Sequence, residues 1–263
     1  MRELSKREYS GNKIYELVTD AYSCSVTTYT PSSFDTSRHY HPNAHLSFVL
    51  RGGCLEKKKN TYSRNPGKTI YYDPGEHHQI CEMADESIHV NIDFENHFFS
   101  EDLTFEDIRM TCNSDPSLSL TLIKLYHELY VQDNLSAAGI ELLILSIFYK
   151  NHQILNLKNK PEWIYEIKDY LHDTWDKPLC LETISDLFSV HKVTVSKYFT
   201  HYFGCTPSEY LRILKIQKAT SLIIHTSQSL TDIAFECGFS DQSHFVRTFK
   251  SYTGFIPKKF RQV

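Results

Sequence analysis

The stretch Ile233-Ala-Phe-Glu-Cys-Gly-Phe-Ser-Asp-Gln-Ser-His-Phe-Val-Arg-Thr-Phe-Lys250 decides how the last third of the chain folds. Leu230, Ile233, Ala234 and Cys237 form one apolar stripe at helical spacing. Ser229 is placed to cap that helix, with Asp232 at its third position, and Gly238 supplies the left-handed residue that ends it. Ser240 then caps a second helix, buried through Phe245 and Phe249, which leaves Gln242, Ser243, Arg247 and Lys250 mainly outside. Gly254 and Pro257 stop it. Two helices joined by so tight a turn form the unit that many proteins insert into the DNA major groove.

Read outward from this pair, the chain repeats itself. A shift of 50 residues superposes Lys197 on Arg247, Phe199 on Phe249, Tyr202 on Tyr252, Gly204 on Gly254 and Pro207 on Pro257. Just upstream the shift is 49, matching Leu181 with Leu230 and Ile184 with Ile233. Between the copies, Thr206-Pro207-Ser208-Glu209 reads as a capping box with proline at the first helical position. It opens a helix with Tyr210, Leu211, Leu214, Ala219, Leu222 and Ile223 on its apolar face. Running to about His225, that helix is about 28 Å long. A spacer of this size holds two recognition helices in successive major grooves, about 34 Å apart.

With Gly254, Pro257 and Phe260-Arg261, the quoted run resembles the signature of the AraC/XylS family, over about residues 163–262. The resemblance implies an all-α double helix-turn-helix domain. Its modules span about 181–204 and about 230–254, joined by a spacer helix over about 207–225. It places Val193, Ser196 and Lys197 of the first module, and Gln242, Ser243 and Arg247 of the second, against base edges. The chemistry suits them: Gln pairs with adenine, Arg or Lys with guanine, Val with a thymine methyl. Lys192, Thr194, Thr200, Ser240, His244 and Lys250 suit phosphate, whereas Phe199, Phe203, Phe245 and Phe249 belong to the core. The first module departs from the family pattern at Ser185, where alanine is usual, at His191, in place of a cap-type serine, and at Lys197, in place of arginine.

Charge is unevenly spread. The whole chain carries a formal −4, but residues 161–263 hold 12 Lys and Arg against 11 Asp and Glu. In the last 26 residues the count is five basic (Arg247, Lys250, Lys258, Lys259, Arg261) against one acid, Asp241. A domain near +1 predicts modest nonspecific DNA affinity and a shallow salt dependence.

The first hundred residues read as β structure. Strand-like stretches at Cys24–Tyr29, His45–Leu50, Thr69–Tyr72 and Ile88–Phe94 are separated by glycine- and proline-bearing turns, which suggests a sandwich or small barrel. Leu118–Tyr130 and Ser136–Tyr149 then carry helical periodicity. The polar segment 151–161 marks a boundary between domains over 1–155 and 163–262. His39-Tyr-His41, His45 and Gly52 resemble the first cupin motif, and Gly67 with Asp73-Pro74-Gly75-Glu76-His77-His78 the second, one residue out of register. The fold class expected is thus α+β multidomain: an N-terminal cupin-like β-barrel with two following helices, then the all-α domain.

Two readings of the histidines stay open. His39, His41, His45 and His77 or His78 converge on a divalent metal, imidazole suiting zinc, iron or nickel, or they line a small-molecule pocket at the barrel mouth. Among aromatic residues, Tyr29, Phe34, Tyr40, Phe48, Tyr71 and Tyr72 are candidates for such a lining, most of them core. The helices over 118–149 carry more apolar surface than a small barrel needs, which points to a homodimer interface or to packing on the barrel.

Seven scattered cysteines without a C-x-x-C pair suggest neither a disulfide framework nor a thiolate zinc site. The charged start, Met1-Arg-Glu-Leu-Ser-Lys-Arg-Glu8, lacks the form of a signal peptide, and no apolar run has membrane-spanning length. The expectation is a cytoplasmic, non-enzymatic, one-component transcription regulator. Its partners are double-stranded DNA, a second copy of itself, a small-molecule effector and, in an activator, RNA polymerase, with no membrane. The alternatives are a metal-dependent cupin enzyme with an accessory helical domain, and an effector-free dimeric regulator.

Overall fold

A computed structural model describes residues 2–5, 8–99, 105–155 and 161–263. The chain divides into two compact units, residues 1–112 with 125–143, and residues 113–124 with 144–263.

The first unit is built on antiparallel sheets. Strands β2 (Asn12–Val18), β3 (Tyr22–Tyr29), β5 (Ala44–Arg51), β8 (Thr69–Tyr72) and β10 (Ser87–Phe94) form a five-stranded sheet in the order β2-β3-β10-β5-β8. Strands β6 (Cys54–Lys57), β7 (Thr61–Arg64) and β9 (Gln79–Met83) form a three-stranded sheet in the order β7-β6-β9. A short parallel pair joins β1 (Arg2–Glu3) to β4 (His39–Tyr40). All four strands expected from sequence are present. The sheet is not closed in this pairing, and among the described residues six further strands, each of seven residues or fewer, lie outside the expected set.

The centre of the large sheet explains why its strands lack a simple apolar–polar alternation. Successive side chains point to opposite faces, and here both faces are buried. Along β10, Ile88, Val90, Ile92 and Phe94 take one face while Ser87, His89, Asn91 and Asp93 take the other. Register carries this division across the sheet: Asn91 lies opposite Ser25 and Ser47, and Asp93 opposite Ser23 and His45. One face is therefore an apolar core with Cys24, Val26, Leu46 and Phe48, all at most 1% exposed. The other is a buried polar wall, in which Asn91 donates to Thr27 Oγ1 (3.1 Å) and accepts from Ser47 Oγ (2.8 Å).

Three helices follow: α1 (Phe105–Ser114), α2 (Leu118–Val131) and α3 (Ser136–Leu155). The first is an addition to the two expected. The third runs six residues beyond Tyr149, into the polar stretch read as a boundary, and residues 156–160 of that stretch lie outside those described. Leu122, Leu125, Ile144 and Ile147, each at most 1% exposed, anchor α2 and α3.

The second unit continues through α4 (Glu162–Asp173), α5 (Leu181–Phe188), α6 (Lys192–Phe203), α7 (Pro207–His225), α8 (Leu230–Glu236), α9 (Gln242–Thr253) and the four-residue turn α10 (Pro257–Phe260). The sequence repeat is a structural one: α6 and α9 have the same length and are offset by 50 residues, and α5 and α8 start 49 residues apart. Ile184, Val195, Phe199, Ile233, Phe245 and Phe249 are each 0% exposed, the pairs offset by 49 or 50 playing matching roles. Helix α7 is capped as expected: Thr206 Oγ1 accepts from the Glu209 amide (3.2 Å). None of the described helices is long and apolar enough to cross a membrane.

Candidate nucleic-acid interface and histidine pocket

In the second module, α8 starts at Ser229, whose hydroxyl accepts from the Asp232 amide (3.1 Å) and donates to its carboxylate (2.7 Å). The helix ends at Gly238, whose φ of +68° is left-handed and whose Cβ, if present, would lie 2.5 Å from the Asp176 carbonyl oxygen. The next cap is not the expected one. Asp241, not Ser240, caps α9, accepting from the His244 amide (2.7 Å), while Ser240 donates to the Asp241 carboxylate (3.2 Å). A carboxylate makes the stronger, charge-assisted cap and also meets the positive helix end. The His244 amide, first among several donors, holds the Asp241 carboxyl below its usual range.

This turn presents one side of α9 to solvent. Gln242, Ser243, His244, Arg247 and Lys250 are all exposed, and Phe245 and Phe249 face inward. Gln242 is partly oriented, its Oε1 accepting from Thr231 of the preceding helix (2.8 Å). Arg247 and Gln242, five residues apart on this exposed side, offer a bidentate cation and a paired donor and acceptor.

The first module repeats the layout with weaker parts. Val193 is 63% exposed, and Lys192, Lys197 and Thr200 are also exposed. Ser196 and Thr194 are half-buried, and Thr200 donates to the Ser196 carbonyl (2.8 Å). Lys192 pairs with Glu182 (2.8 Å), which offsets its charge. His191 does cap α6, but through a long contact from the Val193 amide to Nδ1 (3.3 Å). Where Gly238 sits in the second module, the first has Ser189 at φ +53°, a left-handed conformation that costs a non-glycine residue about 1 kcal/mol.

The second candidate site lies in the first unit, against the polar wall of the large sheet. A pocket is lined there by His39, His41, His45, His78, Tyr9 and Arg64, among others. His39 and His78 face each other across an antiparallel bridge, each amide donating to the other's carbonyl at 2.9 Å. His41 stacks on both His45 (4.5 Å between centroids) and His78 (5.4 Å). Burial, then the neighbouring His45, lowers the His41 pKa to about 2, and burial, then His39, lowers that of His78 to about 3. Both rings are neutral at ordinary pH. His77 does not join them: it is half-buried and packs edge-on against Tyr40.

Asp93 was not found by sequence reasoning. It accepts from His45 Nδ1 (3.0 Å) and from the Tyr9 hydroxyl. Burial pushes its carboxyl up, but His45 and these hydrogen bonds outweigh it and hold the group below its usual range. Arg64, also missed, is buried: it donates to Ser47 Oγ (2.8 Å) and the Tyr72 hydroxyl (3.1 Å), and Tyr72 donates in turn to Glu56 (2.8 Å). The signal for Asp93 was present in the polar positions of β10, every second residue from Ser87 to Asp93. Of the aromatic candidates, Tyr29 and Tyr72 line the pocket and Phe48 lies on the opposite, apolar face.

Residues 184–262 match the model of a helix-turn-helix domain. The HTH-type transcriptional activator RhaS of Enterobacter sp. (strain 638) is 31% identical over 119 residues, which are 45% of this chain and 43% of that protein. RhaS of Escherichia coli (strain K12 / DH10B) is 32% identical over 130 residues, 48% of this chain and 47% of that one. The chain thus spans about half the length of the curated relatives it matches. Among solved structures, a transcriptional regulator with an AraC-type DNA-binding domain from Chromobacterium violaceum is 27% identical, with a TM-score of 0.37, covering 38% of this chain and 89% of that one. A ToxT structure from Vibrio cholerae covers 93% of this chain and 98% of its own, at 14% identity and a TM-score of 0.39. The C-terminal region is thus a helix-turn-helix domain, similar in sequence to the corresponding part of the RhaS activators.

Proposed function

We propose that the chain is a one-component transcription regulator, in which a C-terminal domain over 163–262 reads double-stranded DNA and an N-terminal domain over 1–155 receives a signal. The observation that carries this reading is the repeated, outward-facing pair α6 and α9, spaced by the capped 19-residue α7. Arg247, Gln242 and Ser243 read bases in one major groove, and Lys197, Ser196 and Val193 read the next. Ser240, His244 and Lys250, with Lys192, Thr194 and Thr200, contact phosphates. The second module carries most of the specificity. Its cap is anionic and short and its turn glycine is unstrained, whereas the first module has a long histidine cap and a strained serine.

The N-terminal domain is a cupin-like barrel whose polar interior is the receiving pocket, and the protein is a cytoplasmic homodimer without catalytic activity of its own. The RhaS relatives are activators by name, and activation through contact with RNA polymerase extends the same reading to this chain. The test is selection of bound sequences from a random duplex pool with the full chain, then titration of the winner with Arg247→Ala. The expected result is one enriched motif and a loss of about 1–3 kcal/mol at a single base position. Enrichment of no motif would overturn the reading.

A further inference from the structure

The histidine pocket carries a chemistry separate from DNA recognition. Three imidazoles, His39, His41 and His78, each offer a nitrogen, and these atoms lie within 4.8 Å of one another. All three residues are at most 6% exposed. His39 Nδ1 lies 2.9 Å from the Ser37 carbonyl oxygen, and His78 Nδ1 lies 3.2 Å from that of Glu76. A carbonyl oxygen can only accept, so both rings carry their proton on Nδ1 and keep the Nε2 lone pair for another partner. This is the outer-shell arrangement that orients metal-binding histidines. His41 is 5% exposed, lines the same pocket and has its ring between those of His45 and His78.

The backbone holds the three in place. His39 and His78 are tied by the reciprocal bridge, and the His41 carbonyl accepts from the Gly75 amide (2.9 Å). Ligands of a tetrahedral ion at about 2.1 Å stand about 3.4 Å apart, so the rings need to close by about 1.4 Å at most, within the reach of side-chain rotation. A second group, His41, His45 and Asp93, is equally compact. It is the poorer ligand set because both Asp93 oxygens are already engaged, by His45 and by Tyr9, and binding there would break one of those bonds.

We propose that His39, His41 and His78 bind one divalent transition-metal ion of the zinc class, with the Asp93–His45–Tyr9 group as the neighbouring negative charge. An all-imidazole set suits zinc, cobalt, nickel or copper and excludes magnesium and calcium, which require oxygen ligands. Three protein ligands leave a coordination position for water or a small oxygen-bearing molecule, which makes the ion a means of recognising one. The site lies wholly within the first compact unit, so it stands or falls independently of what the C-terminal domain binds.

The test uses the full chain, stripped with chelator and titrated with Zn²⁺, with Co²⁺ as a spectroscopic probe and Mg²⁺ as control. The expected result is one equivalent of Zn²⁺ or Co²⁺ and none of Mg²⁺. Bound Co²⁺ gives visible ligand-field bands without a thiolate charge-transfer band. His41→Ala and His78→Ala each weaken binding more than about 100-fold, and His77→Ala leaves it unchanged. The spectrum of the unmodified protein needs no variant to fold, and circular dichroism checks those that are used. Absence of a stoichiometric ion, a thiolate band, or full binding in His78→Ala with loss in Asp93→Asn would each overturn the assignment.

Discussion

Replacing Gly238 by alanine separates two costs that sequence comparison merges. The first is conformational: at φ +68° an alanine pays about 1–2 kcal/mol for a left-handed backbone. The second is steric: the new Cβ would sit 2.5 Å from the Asp176 carbonyl oxygen and 2.7 Å from Lys215 Nζ. The lysine end can swing away, although it gives up its bond to the Gly238 carbonyl (2.9 Å). The carbonyl belongs to backbone and cannot. Forcing such an overlap costs about 1–3 kcal/mol, so Gly238→Ala is expected to lose about 2–5 kcal/mol. The equivalent change in the first module, Ser189→Gly, relieves the same left-handed strain but gives the unfolded chain more freedom, worth about 0.5–1 kcal/mol. Those terms nearly cancel, within about 0.5 kcal/mol. Amide exchange at α8 and α9 in the full chain reports the local stability directly. Loss of under about 1 kcal/mol in Gly238→Ala would refute the steric argument.

Other expectations follow from single contacts. Asp241→Ala should cost about 1 kcal/mol by loss of the α9 cap, and Ser240→Ala almost nothing, a ranking that urea titration of the two variants checks. Glu56→Ala leaves the buried Arg64 without its carboxylate partner and should cost about 3–5 kcal/mol, whereas converting both residues to apolar ones of similar volume should restore most of it, as thermal melts of the single and double variants would record. His89 is buried, and burial followed by Arg64 pushes its pKa well below the usual value. Above about pH 6.5 neither folded nor unfolded chain protonates it. As pH falls below that, only the unfolded chain takes the proton, and stability drops. Denaturation at pH 6.5 and 5.5 should therefore show about 1 kcal/mol less loss in His89→Gln than in the unmodified protein, and parallel curves would contradict it.

The C-terminal domain was legible because its signals are local. Caps, a turn glycine and a 3.6-residue period all lie within twenty residues, and the second copy repeats them. The one misplaced cap shows the limit: Ser240 and Asp241 are adjacent and both cap well, so only the backbone angle decides between them. In the N-terminal half the strands over 22–29, 44–51, 69–72 and 87–94 were visible as β-rich runs, but the short strands pairing around Cys54–Lys57 depend on partners far away in sequence. The histidines were found because they cluster along the chain. Asp93 was not, since it reaches His45 only through the register of β10 on β5, 48 residues apart. His77 and His78 could not be ranked by spacing. The bridge to His39 decides in favour of His78.

The paired modules are tested most directly by whether α6 and α9 enter one duplex together. Footprinting of the full chain on its selected site, compared with Lys197→Ala and Arg247→Ala, measures this. The prediction is two protected major-groove segments about one helical turn apart, the stronger lost with Arg247→Ala and the weaker with Lys197→Ala, with a shallow decline in affinity as salt rises. A single protected segment that both substitutions weaken alike, or protection that neither touches, would contradict the paired-module account.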